Sequence, residues 1–121
     1  MRRMELSTQQ IKYLFAIIAV SKNGEAKSVD IAQNLGVKKS SVSSMLASLE
    51  KKGLITKAYY SKVRLTDFGL RIANEKYKKF HNLTVHFCNS LSLSEADAKR
   101  LAYLVIGNAD DIDFTFTRSA V

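Results

Sequence analysis

The chain has 121 residues, 46% of them hydrophobic, a single cysteine and a formal net charge of +8. That length fits one ordinary domain or a small domain with an assembly segment, and a lone cysteine, Cys88, excludes a disulfide framework or a zinc ribbon. No apolar run approaches a membrane span and "MRRMELSTQQ" lacks the apolar centre of a signal peptide, so the expectation is a cytoplasmic protein with no membrane partner.

The charge is unevenly spread. Residues 1–80 hold sixteen Lys/Arg against six Asp/Glu, whereas residues 81–121 hold three against five. A basic front and a mildly acidic rear predict that the front meets a polyanion while the rear does something else.

In chain order, the first element opens at Leu6-Ser7-Thr8-Gln9-Gln10-Ile11. Ser7 with Gln10 fits a capping box, and Leu6 with Ile11 fits a hydrophobic staple. Ile11, Leu14, Phe15, Ile18 and Val20 continue a helical period that ends near "SKNGE". Ser28 is expected to cap a second helix, "VDIAQNL", which stops at Gly36, a residue suited to the left-handed position past a helix end. A third helix follows almost at once, from near Lys39 to about Lys52, with Gly53 as its stop. Two short helices joined through a glycine make a helix-turn-helix. Ala32 is small where they cross, and Ile31, Leu35, Val37, Val42 and Met45 fall where the pair must bury apolar surface. An ordinary helical hairpin is the rival reading.

Next, "LITKAYYSKVRLT" carries two short alternating runs split at Tyr60-Ser61-Lys62, which reads as a β-hairpin leaning on the helices. Thr66 caps a long fourth helix, whose Ala73, Tyr77, Phe80, Thr84, Phe87 and Leu91 form a seam suited to another helix. Ser92 or Ser94 opens a fifth, with Glu95 available for a capping box with Ser92. The tail "NADDIDFTFTRSAV" has no clear period. The expected fold is mainly α with a small β-hairpin. A winged helix-turn-helix occupies residues 1–66, followed over residues 67–121 by a helical dimerisation segment with its C-terminal tail.

The third helix is unusual in its polar face. Val42, Met45, Leu46 and Leu49 repeat at helical spacing, yet Ser40, Ser41, Ser43, Ser44 and Ser48 crowd the remainder. Serine is a mediocre helix former because its hydroxyl competes for backbone hydrogen bonds, so helix stability does not explain the run. The second helix of a helix-turn-helix lies in the major groove, where short hydroxyls permit close approach and bond to bases or phosphates alike. Lys38 and Lys39 can neutralise phosphate beside the positive helix end. With no Arg, Asn or Gln in the segment, discrimination would lean on serine contacts, thymine methyls, water and DNA shape. Tyr60, Lys62 and Arg64 at the wing are candidates for an adjacent backbone or minor groove, and Arg2 with Arg3 for an arm. The partner implied is double-stranded DNA.

Several motifs together resemble the diphtheria-toxin-repressor type of iron- and manganese-dependent transcriptional regulators. They are "YLFAI", "DIAQNLGVKKSSVSSMLASLEKKGLI", "VRLTDFGLRIA" and a histidine, His81, in mid helix 4. Regulators of the multiple-antibiotic-resistance type share only the looser parts of the middle motif. The resemblance implies a winged helix followed by helical dimerisation elements. It further implies a homodimer on a palindromic operator, acting as a repressor under a divalent metal. No cofactor is expected from the residues themselves; manganese or iron enters through the resemblance alone. His81 is the one residue on a family ligand position. Where the manganese-type members carry helix 1 carboxylates in a pattern like D-Y-x-E, this chain has Lys12 and Phe15. The stretch aligned with the helix 5 ligands, around Tyr103, Ile106 and Gly107, offers neither Glu nor His.

No enzyme is expected, because the two histidines, one cysteine and scattered acids form no nucleophile–base set and no glycine-rich loop cradles a nucleotide. Two alternatives to a DNA-binding regulator remain open. One is a winged-helix protein-interaction module. The other is a small-molecule-effector sensor with a pocket at Tyr13, Phe15 and Phe80.

Overall fold

The computed structural model describes residues 4–58, 60–109 and 112, so Arg2, Arg3 and nearly all of the C-terminal tail lie outside the described residues. Helix α1, Thr8–Val20, starts where its cap dictates. The Ser7 hydroxyl accepts from the Gln10 amide at 3.2 Å and the Gln10 side chain accepts from the Ser7 amide at 3.0 Å. Leu6 and Ile11 are both buried in the core beneath this box.

A two-residue strand β1, Ala26–Lys27, leads directly into α2, Ser28–Leu35. Gly36 ends α2 in the left-handed conformation (φ 66°), which bends the chain into α3, Lys39–Lys51. A residue with a Cβ is strained at that φ, so glycine is what makes the turn short. Ile31, Val42, Leu46 and Leu49 are buried between the helices, while Leu35 and Met45 are half-buried. Val37, expected inside, is 36% exposed because the turn carries it to the rim.

Strands β2, Ile55–Ala58, and β3, Lys62–Leu65, form the wing. The expected two-stranded hairpin is in fact a three-stranded antiparallel sheet in the order β1-β3-β2, with Ala26 opposite Val63 and Lys27 opposite Lys62. The extra strand covers one edge of a hairpin that would be marginal alone. The expected Ser28 cap is also replaced. Ser28 is the first helical residue, and its amide and hydroxyl both donate to the Ser61 carbonyl, at 3.0 and 2.9 Å. The wing turn thereby satisfies the start of α2.

Helix α4, Asp67–Ser90, begins at Thr66, whose hydroxyl accepts from the Gly69 amide and donates to the Gly53 carbonyl at 2.7 Å. Gly69 lies so close to Leu54 that a Cβ there would overlap the Leu54 carbonyl. This contact clamps α4 onto the junction between α3 and β2. Helix α5, Glu95–Asn108, is capped by Ser94, not by the Ser92–Glu95 pair. Ser92 instead takes a left-handed turn conformation (φ 53°) that brings the chain back. Helices α4 and α5 pack on each other and on α1. Of the α4 seam, Ala73, Phe80 and Thr84 are buried and Phe87 half-buried, but Tyr77 and Leu91 stand more than half exposed. One hydrophobic cluster runs from Leu6 to Ile106, centred on Ile11, Leu14, Ile17, Ile31, Leu49 and Leu83.

Candidate nucleic-acid interface

Helix α3 has two faces of opposite character. Val42, Leu46 and Leu49 point inward, and Lys38, Lys39, Ser40, Ser41, Ser43 and Ser44 are all exposed. Lys38 is the N-cap and makes no side-chain capping bond, and the first turn holds no acid. The first amides of α3 therefore keep their unsatisfied donors and positive end directed outward. Among the described residues neither Lys38 nor Lys39 takes part in an ion pair. The structure thus brings the six α3 candidates together on one solvent-facing edge.

Ser48 does not belong to that edge. Its hydroxyl accepts from the Gln10 side-chain amide at 3.0 Å, and Gln10 also receives Lys52 Nζ at 3.3 Å. Lys52 reaches on to the Glu5 carbonyl at 3.0 Å. The α1 cap and α3 are thereby joined by a polar bridge that fixes the tilt of the serine edge. Between them, Ser7, Gln10, Ser40, Ser41, Ser44, Met45 and Ser48 line an open cleft of about 490 Å³.

The wing adds a second cationic surface. Val63 and Ala26 face the core, so the alternation of the strands puts Lys27, Lys62 and Arg64 on the outer face of the sheet. Lys27 was not foreseen from sequence; a strand of two residues has no readable alternation. Tyr60 projects from the tip, 92% exposed. The left-handed positions of the tip are Tyr60 (φ 61°) and Ser61 (φ 58°), while Lys62 already lies in β3. The Ser61 carbonyl, held by Ser28, pins this turn without a glycine. Arg64 differs from the α3 lysines, for its guanidinium pairs with Glu25 at 3.6 Å.

The positions at which the resemblance implies metal ligands also converge, but with other chemistry. Phe15 of α1 meets Tyr77 edge-on at 5.4 Å, Phe80 at 5.6 Å and Tyr103 at 6.0 Å between ring centres. Phe80 and Tyr103 are only 4.4 Å apart, and Lys12 Nζ sits 5.0 Å over the Tyr103 ring. Burial pushes the Tyr103 phenol up from its ordinary value, so the ring under the ammonium stays neutral. His81 is exposed and stacks on Tyr77 at 6.3 Å. Iron and manganese require several oxygen or nitrogen donors aimed at one point. Among the described residues no three His, Cys, Asp or Glu side chains come close enough to hold a metal ion. Rings and an ammonium do not fit such an ion. Of the three residues of the expected effector pocket, Phe15 and Phe80 pack against each other and Tyr103, and Tyr13 is separately buried in the core.

A helix-turn-helix followed by a small antiparallel wing defines a winged-helix domain. Residues 5–63, just under half of the chain, match the family described as the iron-dependent repressor, N-terminal DNA-binding domain. It is 36% identical over 77 residues to the transcriptional regulator MntR of Escherichia coli strains O6:H1 and O157:H7, covering 64% of this chain and 49% of the relative. The chain thus spans about half the length of those curated relatives. Among solved structures it is similar to a hypothetical protein of Sulfolobus solfataricus, at 29% identity and a TM-score of 0.62, over 81% of this chain and 75% of the other. The fold is shared with IdeR of T. acidophilum, at 22% identity and a TM-score of 0.64, over 84% of this chain and 48% of that one. The matched relatives are regulators by name, and no described helix is long and apolar enough to cross a membrane.

Proposed function

We propose that this chain is a DNA-binding transcriptional regulator that acts as a homodimer, as a repressor, on a palindromic operator. Residues 1–66 serve as the reading head and residues 67–121 as the dimerisation segment. The observation that carries the proposal is the α3 edge, on which Lys38, Lys39, Ser40, Ser41, Ser43 and Ser44 face solvent beside an uncapped helix start. Lysines at the phosphate walls and short hydroxyls toward the groove floor are the complement of a B-form major groove. Paired heads would read half-sites roughly 34 Å apart, one helical turn, or a multiple of that spacing.

The test combines salt dependence with charge reversal. An operator selected from a random DNA pool is titrated with the full chain by fluorescence anisotropy at several salt concentrations. Each phosphate contact adds about 0.9 to the slope of log affinity against log salt. Lys38→Glu with Lys39→Glu is expected to abolish retention while leaving the melting transition in place. A flat salt response would refute the electrostatic reading. Unchanged binding by the double variant would favour a protein-interaction module.

A further inference from the structure

We infer that the ring cluster joining α1, α4 and α5 holds the reading head in its DNA-competent orientation without a divalent metal, so that operator binding does not respond to manganese or iron. This rests on the reading under Proposed function and deepens it to the regulation of that site. Three features support it.

First, the three helices from which the resemblance would draw ligands do converge, but the point of convergence is occupied by Phe15, Phe80 and Tyr103 in mutual contact. Second, the cation already present is Lys12, whose ammonium lies over the Tyr103 ring and would repel a divalent ion brought to the same place. Third, the mechanical path is closed. The Thr8 hydroxyl donates to the Tyr103 carbonyl at 3.2 Å, and Gly107 lets the α5 backbone lie directly against Thr8. From α1 the path continues through Gln10 to Ser48 on α3. A set of direct contacts therefore runs from α5 through α1 to Ser48 on α3, the helix that carries the serine edge, with no metal ion among its links. Phe15 is the positioning residue at the centre, since it meets rings from both α4 and α5.

The experiment uses the full chain and an operator selected in the presence of chelator and, separately, of manganese. Affinity is measured at matched ionic strength in EDTA, in excess manganese chloride and in anaerobic ferrous iron. Bound metal per chain is counted after gel filtration. The expected result is less than a twofold difference among the three conditions and substoichiometric metal. A tenfold tightening by either ion, or one tightly held ion per chain, overturns the inference while leaving the DNA-binding reading intact. Failure to retain DNA in every condition overturns that reading and the inference with it. For the positioning role, Phe15→Leu should weaken the operator severalfold with the salt slope unchanged, and Phe15→Tyr should restore it. Wild-type affinity in Phe15→Leu would refute that role.

Discussion

Gly69 offers a test in which local and tertiary arguments predict opposite signs. It sits in the first turns of α4, and helix propensity alone says that Ala there should be better than Gly by about 1 kcal/mol. The structure says otherwise, because a Cβ at this position would run into the carbonyl of Leu54, a backbone atom at the fully buried start of the wing. Overfilling a packed contact costs about 1–3 kcal/mol, and the upper end applies where a backbone group must move. The Leu54 carbonyl also accepts from the Thr66 amide at 3.0 Å, so displacing it strains the α4 cap. The net expectation for Gly69→Ala is a loss of about 2 kcal/mol, the overfilling cost less the propensity gain. In a chain of this size that lowers the melting temperature by roughly 8 °C. Urea unfolding followed by far-ultraviolet circular dichroism measures the loss, with Asn74→Ala on the exposed face of the same helix as control. The control should gain a few tenths of a kcal/mol, about what propensity alone predicts. If Gly69→Ala is as stable as the parent, the close approach of α4 to the wing is not a constraint and the clamp described above is wrong.

Two further substitutions separate structural polar groups from those assigned to DNA. Ser48→Ala removes one bond of the Gln10 bridge and should cost about 1 kcal/mol in urea unfolding, with operator affinity changed less than that of Ser40→Ala or Ser44→Ala. Glu25→Gln releases Arg64 from a partly exposed, long (3.6 Å) pair whose contribution to stability is about 0–1 kcal/mol. It should therefore leave the melting curve nearly in place while strengthening operator binding at low salt and steepening the salt slope. Unchanged binding would mean that Arg64 lies away from the phosphates.

How much of this was legible in the sequence follows from the distance over which each determinant acts. The capping box at Ser7 and Gln10, the glycine turn at Gly36, the cap at Thr66 and the outward serine–lysine edge of α3 all depend on residues within a few positions of one another. Periodicity and capping chemistry were therefore enough to read the helix-turn-helix and its polar face. Where two local signals competed, as with Ser92 and Ser94, the sequence could not choose between them; the return of α5 toward α1 did. The third strand of the wing, two residues long, exists only because Ala26 and Lys27 meet Val63 and Lys62. Ser28 looked like a cap and Ser48 like one more serine of the polar face, but each found its partner on a distant element, in Ser61 and Gln10. Arg64 was similarly claimed by Glu25. The ring cluster of Phe15, Tyr77, Phe80 and Tyr103 was spelled out residue by residue and still invisible, since rings far apart in sequence become one packed contact only when α1, α4 and α5 close on each other. Local hydrogen-bonding chemistry is written in neighbouring letters, whereas the pairing of polar and aromatic groups across elements is settled by which surfaces the buried core forces together.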